Sequence, residues 1–260
     1  MLAFERHGSG EPLVLLHGVT HRRQAWYPVL DELAEQREVI LVDLPGHGQS
    51  PAFELDGLSV RDALRRDFED FLTDQGLERP HVAGNSLGGL VALHAGSNGH
   101  ARSVTALSPA GFWRTDAGFA YSRGLFRTVE KVGARVGSRA PKLVRSTAGR
   151  AMMFGWINAH PSRVDPELAL GDFHAFTRAT PALHTLLREA TPFTGVVPAD
   201  VPVTIAWSAW DLVLPPYQAR QARAAMPNAR HVKLPGCGHV PMSDDPELVA
   251  GVLLRGSATA

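Results

Sequence analysis

The sequence predicts an α/β fold: a mostly parallel central sheet flanked by helices, with a helical insertion. Three observations predict it. Unbroken apolar runs, Leu13-Val14-Leu15-Leu16 and Val39-Ile40-Leu41-Val42, have the length and continuity of strands buried on both faces of a parallel sheet. Segments of helical period alternate with them, as in 24–36, where Ala25, Trp26, Val29, Leu30 and Leu33 fall on one face. Polar, glycine-rich turns follow the strands, and sites in such sheets lie at the carboxyl ends of strands.

Taken in order, Leu2–Arg6 reads as an edge strand and His7–Pro12 as a turn. The two apolar runs are strands, the first followed by His17-Gly18-Val19-Thr20 and the second by a long turn, Asp43–Pro51. Ser59 has the place of an N-cap for a charged helix ending near Gln75. His81-Val82-Ala83 is a strand, Gly88–Ser97 a small-residue helix, and Val104–Leu107 a further strand. After Ser108-Pro109-Ala110-Gly111 the texture changes, and no buried strand is evident up to about Gly195. We read 111–195 as a helical cap over the strand ends, and 1–110 with 196–260 as the core. Gly111, Gly118 and Gly195 are candidate flexible points at its edges. Residues 111–150 hold nine Lys or Arg against two Asp or Glu, a solvated helix surface or an attractor of anionic substrates. Trp113, Phe154 and Trp156 are candidates to line an apolar pocket, with His21 reaching in from the core. The sheet resumes at Pro202–Trp207 and ends at His231–Leu234; helices at Tyr217–Met226 and Pro246–Leu254 complete the chain.

The stretch with most chemical content is Gly84-Asn85-Ser86-Leu87-Gly88. A serine flanked by glycines two residues either side, between strand and helix, is held on a sharp turn with its hydroxyl exposed at the sheet edge. The helix N-terminus then offers N–H groups and a positive dipole end to a developing oxyanion. A hydroxyl is a weak nucleophile unless an imidazole takes its proton, and a carboxylate fixes the imidazole tautomer. Asp211 and His239 each follow a late strand, giving the chain order Ser86, Asp211, His239. Asp244 and Asp245 fall after the histidine and are the other candidate acids; the order of the family named below ranks them under Asp211. Cys237 reads as a small buried loop residue, His17 and His47 as local braces, and His94 as a buried neutral ring behind the nucleophile.

These features together resemble the α/β-hydrolase superfamily, in the branch with a helical cap between the sixth and seventh strands. The matches are His17-Gly18 after a buried strand, Asp43-Leu44-Pro45-Gly46-His47-Gly48-Gln49-Ser50, the serine elbow, Asp211 with Pro215 four residues on, and Gly236-Cys237-Gly238-His239. The resemblance covers nearly the whole chain and implies Ser86 as nucleophile, His239 as general base and acid, and Asp211 as orienting acid. It also implies an oxyanion hole from the backbone N–H groups of Leu87 and Val19. Two positions depart from the family pattern. Asn85 stands where His is common, and Asn there is familiar in carbon–carbon bond hydrolases. Ser208 stands three residues before the acid, where Gly is usual.

The implied function is a serine hydrolase cleaving a carboxylic ester with a small or medium apolar acyl group through an acyl-enzyme. Carbon–carbon bond hydrolysis of a β-diketone-like ring-cleavage product, or cofactor-free perhydrolysis, uses the same triad; a non-catalytic ligand-binding member of the fold is the remaining alternative. Epoxide hydrolases and haloalkane dehalogenases are disfavoured, because those relatives carry Asp where this chain has Ser86. Lys plus Arg equal Asp plus Glu, 26 each, which points to a small-molecule substrate and not to nucleic acid. No set of residues has zinc-ligand spacing, and neither metal nor cofactor is expected. One cysteine, no leader-like N-terminus and no membrane-length apolar run suit a cytoplasmic protein.

Overall fold

The computed structural model describes residues 1–19 and 21–258. Among the described residues seven strands form one sheet: β1 (Phe4–His7), β2 (Pro12–Leu16), β3 (Glu38–Val42), β4 (His81–Asn85), β5 (Ser103–Leu107), β6 (Val203–Ser208) and β7 (Arg230–Leu234). Their order is β1-β3-β2-β4-β5-β6-β7. Only β1 runs antiparallel, against β3; every other neighbouring pair is parallel. The apolar runs are the inner strands: Val14, Leu15, Ala83, Val104 and Ala106 are at most 1% exposed. Parallel strands require crossovers, so every turn that follows a parallel strand emerges on one edge.

Three helices belong to the first half: α1 (Tyr27–Ala34), α2 (Val60–Asp74) and α3 (Leu87–Ser97). The expected helix at 24–36 is divided: a short 3₁₀ turn over Arg23–Trp26 comes first, and the α-helix α1 begins later, at Tyr27. Pro28 is the cause: it fits the first turn of an α-helix and would break its interior. Ser59 caps α2 as expected, its hydroxyl accepting from the Asp62 N–H at 3.1 Å.

Between β5 and β6 lie α4 (Asp116–Val136), α5 (Ala140–Leu143), α6 (Thr147–Phe154) and α7 (Pro166–Arg188). In this seven-stranded sheet the insertion therefore falls after the fifth strand. Its base is closed by Phe193 N–H donating to the Gly111 carbonyl at 2.9 Å. Gly111, Gly118 and Gly195 are close-packed and not free: a Cβ there would lie 3.0 Å from Phe193 N, 3.0 Å from Tyr217 Oη and 2.8 Å from the Phe193 ring. The last helices, α8 (Tyr217–Ala225) and α9 (Pro246–Gly256), flank β7 in the chain. Among the described residues no helix is long and apolar enough to cross a membrane.

Candidate active site

Ser86 sits between β4 and α3 with φ +56° and ψ −114°, a conformation a non-glycine residue adopts only under constraint. The constraint is visible in the backbone. Ser86 N–H donates to the Leu107 carbonyl at 2.9 Å, and its own carbonyl accepts from Ala110 and Leu90 at 3.0 and 3.1 Å. The flanking glycines are required by contact: a Cβ on Gly84 would lie 2.2 Å from the Gly88 carbonyl carbon, and one on Gly88 only 2.1 Å from the Leu16 carbonyl oxygen. A Cβ on Gly18 would lie 3.2 Å from the Ser86 Cβ, so the 17–19 loop runs directly against the serine.

Asp211 and His239 are both buried and meet at 2.8 Å, Oδ2 to Nδ1. The other Asp211 oxygen, Oδ1, accepts from the N–H groups of Val213 and Leu214 at 2.9 and 2.8 Å. Ser208 accommodates the strand end without a positive φ, and its N–H donates to Ser108 Oγ at 3.1 Å. Asn85 Nδ2 donates to the carbonyls of Leu107 and His239 at 3.1 and 2.9 Å, tying the serine strand to the histidine loop. Asp244 braces that loop: its carboxylate accepts from Gly238, Ala159 and His160 N–H groups at 2.8, 2.9 and 2.7 Å. Asp245 caps α9. Cys237 is fully buried, and burial pushes its thiol up to about 12, far from a nucleophile's range.

The loop bearing Val19 rests on buried histidines. Leu44 N–H donates to His17 Nε2 at 3.0 Å, which leaves Nδ1–H to donate to the Gly18 carbonyl at 2.8 Å. Burial, helped by neighbouring His47, holds the His17 pKa down at about 3, so the ring stays neutral. His47 Nε2 lies 2.7 Å from the Val19 carbonyl, and burial lowers its pKa as well. Beneath them Arg23 Nη1 donates to buried Asp43 Oδ2 at 2.5 Å, and Arg23 N–H donates to Oδ1 at 2.6 Å. The sequence marked Asp43 as the start of a turn motif that carries the family resemblance, with no partner assigned, and Arg23 not at all.

The residues expected to line one pocket are divided between two cavities that, among the described residues, share no wall residue. The first encloses about 90 Å³ and contains Ser86, Leu87, Val19 and Trp113. It also takes in Leu64 and Phe68 of α2, which sequence reasoning missed, and His94. His94 is half-buried and held to about 4 by desolvation, then by Arg61. The second encloses about 260 Å³ among the inserted helices and contains His21, Phe154 and Trp156. Burial, then nearby His239, pushes His21 down to about 3. The second cavity also contains Asp172, raised to about 7 by burial despite Arg22 Nε at 3.4 Å. Its one local signal was Gly171: a Cβ there would lie 1.8 Å from Arg22 Nη2, so the glycine clears the guanidinium's path. Among the described residues no three His, Cys, Asp or Glu side chains converge as a metal-binding group.

A parallel sheet with a strained serine turn at a central strand end, and a buried Asp–His pair on the same edge, is the frame of a hydrolase of α/β type. The chain matches the alpha/beta hydrolase family over residues 13–252, and it belongs to that family. An uncharacterised protein of Mycobacterium tuberculosis is 31% identical over 273 aligned positions, spanning 97% of this chain and 77% of that one. An (E)-2-((N-methylformamido)methylene)succinate hydrolase of Acinetobacter baylyi is 40% identical over 88 residues, 32% of this chain and 31% of that protein. Among solved structures, a thermophilic esterase from Thermogutta terrifontis superposes with a TM-score of 0.73 at 22% identity, covering 99% of this chain and 94% of the other.

Proposed function

We propose that the protein is a serine hydrolase that cleaves a carboxylic ester through an acyl-enzyme, with Ser86, His239 and Asp211 as its triad. The observation that carries this reading is the pairing of Ser86, held at φ +56° in the wall of a cavity, with the buried 2.8 Å contact between His239 Nδ1 and Asp211 Oδ2. Asp211 accepts the Nδ1–H and thereby leaves Nε2 free of hydrogen to act as a base. In this mechanism Ser86 Oγ attacks the ester carbon and passes its proton to His239 Nε2. The carbonyl oxygen becomes an oxyanion against the N–H groups of Leu87 and Val19, each worth about 3–4 kcal/mol in the transition state. His239 returns the proton to the leaving oxygen, and water then attacks the acyl-enzyme by the same relay.

The helices of 111–195 act as a cap that excludes water and shapes the substrate site. They are tied to the acid turn by Ser122 Oγ donating to the Val213 carbonyl at 2.7 Å and to the histidine loop by Asn158 Nδ2 donating to the Val240 carbonyl at 2.8 Å. Carbon–carbon bond hydrolysis is the second reading, favoured by Asn85 before the nucleophile. Because the Asn85 amide is engaged by two carbonyls as a brace, ester cleavage ranks first. The test is turnover of p-nitrophenyl butyrate by the parent and by folded Ser86→Ala. Turnover lost in the variant supports the reading; equal turnover in both rejects it.

A further inference from the structure

The cavity that contains Ser86 is long, and its two ends differ. From Ser86 it follows α3, with Leu87, Leu90 and Val91 of α3 and Leu64 and Phe68 of α2 in its wall. That part is apolar. Further along stand His94 of α3, His100 after it, and Arg61, Arg65 and Glu69 of α2. From Ser86 to His94 the helix advances roughly 12 Å at 1.5 Å rise per residue. At roughly 10–15 Å³ for each water-sized group, the cavity's 90 Å³ holds about six to nine such groups. Spread along that length they make a single file, as an unbranched chain does.

His94 is a polar group the cavity leaves unmatched. Half-buried, it lies against the Phe193 ring at 5.1 Å between centroids. Among the described residues neither of its ring nitrogens has a hydrogen-bond partner. Desolvation, then the charge of Arg61, hold it at about 4, so near neutral pH it is an uncharged ring that offers one N–H. The acids at this end are matched: Glu69 meets Arg65 at 3.5 Å and His100 at 3.0 Å, and Glu189 meets Arg188 at 3.2 Å. Arg61 meets the neighbouring Asp62 at 3.6 Å, and that carboxylate already accepts from Ser59 Oγ at 2.6 Å.

A free imidazole N–H beside a guanidinium is a pair of donors with positive charge, and its complement is an anionic acceptor such as a carboxylate. Arg61 is exposed, so a carboxylate beside it keeps part of its water and escapes the full cost of burying a charge. Ser86, the apolar stretch, His94 and Arg61 all line one cavity, so an arm of a molecule held on Ser86 crosses the apolar part before it meets them. We infer that His94 and Arg61 bind the far end of the substrate, an ester with one arm an unbranched chain of about six to nine methylenes ending in a carboxylate. The assignment deepens the ester-hydrolase reading above and rests on it.

Two pairs of esters cover both arms: monophenyl decanedioate with phenyl decanoate for the acyl side, and 10-acetoxydecanoate with decyl acetate for the alcohol side. In the parent, the acid-tipped member of one pair should exceed its neutral mate in kcat/KM by about tenfold or more, the effect of a charge-assisted hydrogen bond. The six-carbon counterparts of that pair should show no such preference, because their chains stop short of His94. His94→Phe should remove the preference and Arg61→Gln should cut it severalfold, while His94→Gln, which keeps an N–H donor, retains part of it. The ratio is read within each folded protein, so a general loss of activity cancels. If His94→Phe does not fold, Arg61→Gln and the chain-length comparison decide. Ser86-dependent turnover of phenyl acetate with no preference in either pair overturns the assignment and keeps the esterase reading. So does a preference as large at six carbons, or one that Arg61→Gln and His94→Phe leave intact. Parent protein without Ser86-dependent turnover of any of these esters overturns both.

Discussion

Asp211→Asn isolates the role of the acid with little change of shape. In the parent, Oδ1 accepts from two backbone N–H groups, Val213 and Leu214, at 2.9 and 2.8 Å, and Oδ2 accepts from His239 at 2.8 Å. An asparagine must keep its carbonyl oxygen toward the two N–H donors, because an NH₂ there would leave two buried donors facing a third. Its NH₂ then points at His239 Nδ1 and donates to it. The imidazole is forced into the Nε2–H tautomer, which cannot take a proton from Ser86. The loss expected for a reversed tautomer is ~10⁴ in kcat, or about 5 kcal/mol of transition-state stabilisation. Steady-state hydrolysis of p-nitrophenyl butyrate reads it, alongside a thermal melt to confirm folding. A folded Asp211→Asn protein within tenfold of the parent would refute the reasoning that Asp211 sets the tautomer of a catalytic His239.

Gly88→Ala would put a Cβ 2.1 Å from the Leu16 carbonyl oxygen, so it should cost about 1–3 kcal/mol of overpacking and lower the melting midpoint; Gly124→Ala, with open space around it, should not destabilise. Asp244→Ala strips the acceptor from Gly238, Ala159 and His160 N–H groups, and with the His239 loop unbraced kcat should fall more than KM rises; an unchanged kcat counts against it. His17 and His21, both held to about 3, refuse protons that the unfolded chain binds below ~6.5. Stability should therefore fall as pH drops from that value, by about 1.4 kcal/mol per unit for each such proton. Asp172, raised to about 7, keeps a proton the unfolded chain releases, so it works in the opposite sense. Asp172→Asn should thus steepen the acid-side loss in urea titrations between pH ~4 and ~6.5, and an unchanged slope would contradict the sign.

What the sequence revealed and what it hid differ by the range of the interactions involved. The strands were legible because parallel strands buried on two faces leave unbroken apolar runs, as at Leu13–Leu16. The serine turn was legible because its requirement is local: Gly84 and Gly88 must be glycine, since each would collide with the backbone facing it. Helix α1 started later than its apolar period suggested, since Pro28 outweighed the period. The site's supports are long-range and leave little local trace. Arg23 meets Asp43 across 20 residues, and Arg22 meets Asp172 across 150. The aromatic residues of the insertion could be found but not sorted. Which cavity Trp113 or Trp156 lines depends on how α4, α6 and α7 pack, and apolar period within one helix does not encode that.

The most direct test of the central claim is to label the nucleophile covalently. Parent protein is incubated with a fluorophosphonate, digested, and read by mass spectrometry, with Ser86→Ala and His239→Ala beside it. The account predicts one adduct, on the peptide bearing Ser86, absent from Ser86→Ala and strongly slowed in His239→Ala. An adduct at another residue, or equal labelling of the Ser86→Ala protein, would contradict it.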